Sequence, residues 1–169
     1  MRLLQLLLAL ALLVPPVAYA GDDRFGLSFV SPPDRVAEGR RLDQAAQLGA
    51  GWDRFPLYWS QVQPTPGGPF DFSKGDAVVA ADLSRGIKVQ VILVGAPDWA
   101  TAGGRVDADA WARFVGAAVR NYRGRVSHWE MWNEPDLLDN DGCARRCLTG
   151  QRSFHLDLEY AYRQAGPII

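Results

Sequence analysis

Charge of one sign, cysteine, histidine and long apolar runs are all scarce in this sequence. Its 18 Lys and Arg residues are balanced by 19 Asp and Glu residues, for a formal net charge of −1. This balance argues against nucleic acid or an anionic membrane as the main partner. The apolar stretch from Leu3 to Val14 is shorter than the about 20 residues of a transmembrane helix. We expect no membrane partner once an N-terminal leader is removed, and oligomeric state stays open.

Cysteine use is limited to Cys143 and Cys147, four positions apart in a polar stretch. In an oxidising compartment we expect a disulfide between them that pins this loop, and two free thiols are the alternative. A metal site would need more nearby ligands than His155 offers. The sequence therefore predicts neither a metal nor a cofactor.

The first 20 residues have the organisation of a secretory signal. Arg2 supplies the positive charge, Leu3 to Val14 supplies the apolar region, and two prolines end it. Ala18-Tyr19-Ala20 matches the small-x-small cleavage pattern, so the mature chain is predicted to begin at Gly21. An uncleaved membrane anchor is the alternative. The expected location is secreted or periplasmic.

The rest of the chain alternates strand and helix signals. Short apolar runs predict strands at Phe25–Val30, Trp52–Trp59, Lys88–Val94 and from Val126. Helical spacing is expected after an Asp34 N-cap, after Ser73, and after an Asp107 N-cap, where Trp111 and Phe114 open an apolar face. The order β-α-β-α-β-α-β with short loops predicts parallel strands covered by helices.

The most informative stretch runs from Val126 to Asp136 and reads Val-Ser-His-Trp-Glu-Met-Trp-Asn-Glu-Pro-Asp. Pro135 cannot donate a ladder hydrogen bond, so the strand should end at or before Glu134. A carboxyl group among tryptophans at a strand end is poorly solvated, which raises its pKa. Such an acid can protonate a leaving group. The neighbouring amide of Asn133 is suited to gripping a hydroxyl.

The segment from Trp129 to Asp136 resembles the fourth-strand motif of the clan A glycoside hydrolases, especially families 39 and 5. Those enzymes are (β/α)8 TIM barrels, which are α/β folds. The resemblance implies that Glu134 is the general acid/base and that Asn133 bonds the sugar 2-hydroxyl. A Glu that merely caps a loop is the alternative. The implied partner is a carbohydrate substrate.

Other expected substrate contacts follow from the same resemblance. It places Arg54 beside the catalytic nucleophile. It also places Trp99, together with Pro97, in the sugar site. An Arg reaching the barrel rim or making a structural ion pair is the alternative. Tyr58 and Trp59 end a strand where sugar-stacking aromatics belong, although core packing would explain them equally well. Trp132, beside Asn133, completes the expected substrate-binding set.

A second catalytic carboxylate is missing. Retaining glycosidases use two carboxyl groups about 5 Å apart, and Glu130 lies about 13 Å from Glu134 along an extended strand. Glu130 is instead expected to be a buried carboxylate bonded to a neighbour. The remaining two glutamates, Glu38 and Glu159, are expected on helices, away from the strand ends. No residue here is nominated as nucleophile.

The length of the chain also indicates that only part of the barrel is present. A TIM barrel needs about 250 residues, so the 169 residues are expected to hold only the first four βα units. Residues 1–20 would be the signal peptide and 21–169 the N-terminal part of a glycoside hydrolase barrel. The function predicted is an exported, retaining glycosidase acting on a β-linked oligo- or polysaccharide. A non-catalytic carbohydrate-binding or inactive truncated barrel product is the alternative.

Cleavage after Ala20 gives the first testable prediction. N-terminal sequencing of exported protein should begin at Gly21, because signal peptidase cuts after small-x-small sequences. A first residue of Met1 would contradict the leader and support the uncleaved anchor.

Overall fold

The computed structural model describes residues 21–31, 33–34, 36, 39–101 and 106–133. The leader, Glu134 and both cysteines lie outside these residues. These residues form four strands and four helices, with two helices between β2 and β3. The order is β1 (Asp22–Ser28), α1 (Arg40–Gln47), β2 (Ala50–Tyr58), α2 (Trp59–Val62), α3 (Ser73–Leu83), β3 (Lys88–Val94), α4 (Ala108–Asn121) and β4 (His128–Met131). A short 3-10 helix covers Asp98–Ala100. None of the helices within these ranges combines the length and apolar character needed to cross a membrane.

All neighbouring strands are parallel, and the sheet order is β1-β2-β3-β4. Arg54 is in register with Ser28 on one side and Gln90 on the other, and Gln90 with His128. The predicted βα alternation is therefore confirmed. The sheet is the curled half of a barrel of the TIM type, with sequential strands adjacent.

Alternation of side chains gives the sheet two different faces. The outer face, which carries Phe55, Leu57 and Val91, is buried under the helices. The inner face, which carries Arg54, Gln90 and Glu130, is polar and half-buried. A parallel sheet packed on one side only would leave this polar face toward solvent or toward the rest of a barrel.

Aromatic rings fill much of the core between the outer face and α4. Trp59 stacks on Phe114 with ring centroids 5.5 Å apart, and Trp111 lies 5.7 Å from Trp59. The apolar face predicted for α4 is buried as expected. Its predicted N-cap is also confirmed, because Asp107 Oδ1 accepts a hydrogen bond from the backbone N–H of Ala110 at 2.9 Å.

Several predicted element boundaries were wrong. Strand β1 covers Asp22–Ser28 rather than Phe25–Val30, and β4 begins at His128 rather than Val126. Helix α1 begins at Arg40 rather than after Asp34, with Gly39 at its N-cap in a left-handed conformation, φ 67°. A continuous helix from Asp34 would have to place this glycine in a right-handed turn, where glycine is unfavourable. Strand β2 ends at Tyr58, and Trp59 begins the short helix α2.

The contact between α3 and α4 leaves no room for a side chain at Gly75. A Cβ atom there would lie 2.3 Å from Tyr122 Oη and 2.9 Å from Leu57 Cδ1. We expect Gly75→Ala to lower the free energy of unfolding by about 1–3 kcal/mol, the usual cost of overpacking a core. Urea unfolding followed by tryptophan fluorescence measures this change.

The matched control removes the obstructing atom. Gly75→Ala in a Tyr122→Phe background should cost less than Gly75→Ala alone, because Oη is absent. Equal costs in both backgrounds would contradict the proposed clash.

Candidate functional site

An ion pair joins β2 to β4 across the inner face. Arg54 Nε donates to Glu130 Oε2 at 2.8 Å, and Arg54 Nη2 donates to Glu130 Oε1 at 2.5 Å. The two parallel bonds make a bidentate pair, which fixes the guanidinium plane. The pairing skips β3, which fits a barrel interior, where each layer of side chains comes from alternate strands.

The intervening strand adds a third donor to the same carboxylate. Gln90 Nε2, on β3, donates to Glu130 Oε2 at 2.9 Å. The hydrogen bonds from Arg54, and then those from Gln90, hold the pKa of Glu130 below its ordinary value. Glu130 is therefore an anion that neutralises Arg54 on the inner face.

Asn133 joins this network through its side-chain oxygen. Arg54 Nη2 donates to Asn133 Oδ1 at 2.8 Å. The amide oxygen of Asn133 is thus directed at the guanidinium. We refer to Arg54, Gln90, Glu130 and Asn133 as the inner-face network.

A backbone distortion brings Asn133 to this face. Residues 130 and 133 are three apart, so a regular strand would place them on opposite faces. Trp132 adopts φ 67°, one of two left-handed non-glycine residues within the described chain, while its N–H still donates to Leu93 O at 2.8 Å. Such a conformation costs on the order of 1–3 kcal/mol and concentrates at functional sites.

The same distortion buries the Trp132 side chain. Its ring is 3% exposed and meets Trp111 of α4 edge to face, with centroids 5.7 Å apart. A tryptophan on the helix side therefore anchors the turn that presents Asn133. The predicted sugar contact of Trp132 is not tested by this geometry and stays a prediction.

The remaining aromatic candidates differ in exposure. Trp59 is fully buried in the core, which matches the packing alternative. Trp99 is half-buried, meets Trp59 edge to face, and its Nε1 donates to Gln63 O at 3.2 Å. Tyr58 is half-buried at the carboxyl end of β2, close against Gly95. Contact of any of these rings with a sugar stays a prediction.

A separate cluster of side chains lies at the amino-terminal end of the inner face. Trp52 of β2 meets His128 of β4 edge to face at 4.6 Å, and Lys88 Nζ lies 5.2 Å from the Trp52 ring. Asp23 pairs with Lys88 at 2.7 Å. These partly exposed side chains lie toward the amino-terminal ends of the strands. The inner-face network lies nearer the carboxyl ends, where TIM-barrel active sites form.

Sequence reasoning found part of the network. It placed Arg54 and Asn133 in the site. Its expectation that Glu130 bonds a neighbour is confirmed, but the side chain is half-buried rather than buried. It missed Gln90, although a polar residue in the alternating run Lys88–Val94 was the available signal. Glu134, Cys143 and Cys147 lie outside the described residues, and their roles stay predictions.

Within the described residues, the network belongs neither to a metal-binding group nor to the cavity beside β2. Within the described residues, no three His, Cys, Asp or Glu side chains lie together in a group that could hold a metal ion. A cavity of about 730 Å³ opens beside the carboxyl-terminal half of β2, lined among others by Phe29, Tyr58 and Lys74. It does not include the four network residues.

Several solved structures that are similar to this chain are glycosidases. A family 39 glycoside hydrolase from the gut symbiont Bacteroides cellulosilyticus WH2 has 22% identity and a TM-score of 0.64, covering 90% of this chain and 31% of its own. A β-glycosidase from Pyrococcus horikoshii has 18% identity and a TM-score of 0.67, covering 81% and 36%. A family 1 β-glucosidase from Thermotoga maritima has 19% identity and a TM-score of 0.63, covering 80% and 34%.

At this level of identity the similarity shows the fold. The chain has the architecture of the N-terminal part of TIM-barrel glycoside hydrolases and spans about a third of the length of these structures. No model of a known protein family matches it. A search of curated proteins also gives no match.

The ion pair itself can be tested through stability. Glu130→Gln removes the charge that neutralises Arg54, so we expect a loss of about 1–3 kcal/mol in the free energy of unfolding at neutral pH. Because the folded-state pKa of Glu130 is lowered from 4.5, this stabilisation is present above that value. It is lost as the pH falls through the folded-state pKa. The variant should therefore approach the original protein in acid.

Urea unfolding at neutral and acidic pH measures both effects. Asp22→Asn, which removes the exposed pair with Arg24, is the matched control and should leave stability nearly unchanged. Equal losses in the two variants would contradict a structural role for the inner-face pair.

Proposed function

We propose that this chain is the acid/base half of an exported, retaining glycoside hydrolase that acts on a β-linked oligo- or polysaccharide. In this proposal residues 21–169 form the N-terminal part of a TIM-barrel domain. The similarity to a family 39 glycoside hydrolase and to β-glycosidases supports the class of reaction.

The observation that carries the proposal is the position of Asn133. Arg54 holds its amide on the inner face, one residue beyond a strained Trp132 at the carboxyl end of β4. Glu134 follows Asn133 directly in the chain. An amide whose oxygen is fixed by a guanidinium has a defined orientation, and an amide is a suitable hydrogen-bond partner for a sugar hydroxyl.

The reaction would need Glu134 in two protonation states. As an acid it would protonate the glycosidic oxygen while a second carboxylate attacks the anomeric carbon. As a base it would then take a proton from the water that releases the sugar. We propose that the second carboxylate comes from barrel strands beyond β4, since no described glutamate is placed to act.

The ion pair between Arg54 and Glu130 supports the acid role. A guanidinium without a counter-charge would lower the pKa of a nearby acid and weaken its hold on a proton. Glu130 offsets that charge with two hydrogen bonds to Arg54. Arg54 can therefore orient Asn133 while adding little net positive charge to the site.

Two further assignments complete the proposal. The half-buried rings of Tyr58 and Trp99 are proposed to contact the apolar face of the sugar. The leader would direct the protein out of the cytoplasm, where a disulfide between Cys143 and Cys147 can form.

Replacement of Glu134 in the complete enzyme tests the function. Glu134→Gln keeps the shape and removes the titrating proton, so cleavage of substrates with poor leaving groups should fall by about 10²–10⁴-fold. Activated aryl glycosides should lose less in the first step, because their leaving groups need little protonation. Azide, which attacks without a base, should restore turnover and yield a glycosyl azide.

Glu159→Gln is the matched control, since it removes another glutamate that the proposal keeps out of the site. It should retain activity on both substrate types. Equal losses on both substrates in Glu134→Gln, without rescue by azide, would remove Glu134 from the acid/base role.

A further inference from the structure

Two aspartates that the proposed reaction does not use face each other in the core. Asp53 lies on β2 and points to the outer face, and Asp82 lies in the last turn of α3. Both are 0% exposed, and their carboxyl groups contact each other. Buried aspartates normally have a cationic partner, so this contact requires another explanation.

The hydrogen bonds around the pair do not account for two anions. Asp53 Oδ1 accepts from Val30 N–H at 3.3 Å, and the backbone N–H of Arg54 also donates to Asp53. Within the described chain, Asp53 Oδ2 and both Asp82 oxygens receive no hydrogen bond from another group. Two ionised carboxylates are acceptors only, so a bond between them requires a proton on one.

The cation whose charge acts on Asp82 is Arg85, and its hydrogen bonds go to other groups. Arg85, just after α3, donates through Nε to Asp43 of α1 at 2.7 Å and through Nη1 to Ala81 O at 2.9 Å. Its charge lowers the pKa of Asp82 less than burial and the neighbouring Asp53 raise it. The pKa of Asp82 is raised to about 8, and burial raises that of Asp53 to about 6.

We propose that Asp53 and Asp82 share a proton and form a pH-sensitive latch that holds α3 against β2. While the proton is present, one carboxyl group donates to the other across the interface. When hydroxide removes it as water, two like charges remain in a fully buried site, and the cost favours local separation of α3.

The latch also connects with the inner-face network. Asp53 Oδ1 binds the backbone of Val30, just after β1, and Asp53 directly precedes Arg54. Opening of the pair would therefore loosen the segment after β1 together with α3. The inference itself rests on the packing of β2 and α3 and is independent of the proposed glycosidase activity.

A bound cation is the competing occupant for these oxygens. Hard divalent cations take six or more oxygen ligands, or keep several waters. Here two fully buried carboxylates lie together without a third acidic, His or Cys side chain among the described residues. A single proton satisfies the pair with fewer ligands.

The direction of the pH effect follows from linkage. Both folded-state pKa values are raised above the ordinary 3.8, so the folded state binds more protons than the unfolded state. The stabilisation is complete below about pH 3.8 and is lost as the pH rises through about 6 and about 8. One extra bound proton changes the unfolding equilibrium about tenfold per pH unit.

Hydrogen exchange on the whole protein tests the latch. After correction for intrinsic exchange rates, amide protection of α3 should fall at least about tenfold between about pH 6 and about pH 9. Protection of α4 serves as the internal reference. Asp82→Asn, which can donate to Asp53 at any pH, should abolish the fall, whereas the exposed-site control Asp109→Asn should keep it.

A second measurement detects the shared proton directly and does not depend on the stability of the variants. Infrared spectroscopy at about pH 7, between the two pKa values, should show a protonated carboxyl band. The band should be absent from Asp82→Asn and should disappear from the original protein by about pH 9. Absence of this band, or the same loss of α3 protection in Asp82→Asn, would overturn the proposal. Restoration of protection at high pH by added Ca²⁺ or Mg²⁺ would also overturn it and identify a cation site.

Discussion

The inner face depends on one ion pair, that between Arg54 and Glu130. It spans from β2 to β4 over β3, and Gln90 of β3 completes it. A polar surface on the concave side of a small sheet needs internal partners, because each buried charge would otherwise lose solvation without compensation. The pair supplies that compensation and fixes the plane from which Arg54 reaches Asn133.

The strained backbone at Trp132 brings Asn133 to the same guanidinium that Glu130 binds. The left-handed residue costs free energy, but its ring gains a buried position against Trp111 and its N–H keeps a ladder bond to Leu93. Packing on the helix side thus offsets the distortion. The result on the other side is that Asn133 and Glu130, which a regular strand would separate, both bind Arg54. Core packing and site geometry are in this way decided by the same residue.

Carboxyl groups on the two sides of β2 differ in their protonation. On the inner face Glu130 has three donors and its pKa is lowered, so it is an anion. On the outer side, Asp53 of β2 contacts Asp82 of α3, and burial raises the pKa values of both. Adjacent residues of one strand, Asp53 and Arg54, therefore belong to two electrostatic environments. The side-chain alternation of a strand is what separates them.

Local signals in the sequence determined the order of elements, the N-cap of α4 and the strand Lys88–Val94. They also selected Arg54 and Asn133, which the structure joins by a hydrogen bond. These depend on periodicity, capping chemistry and a motif, all of which act between near neighbours in the chain. The start of α1, the role of Gln90, the burial of Trp132 and the pairing of Asp53 with Asp82 came only from the tertiary structure. Each depends on which side chains meet across strands or between helix and sheet, and a residue's neighbours in sequence do not specify those partners.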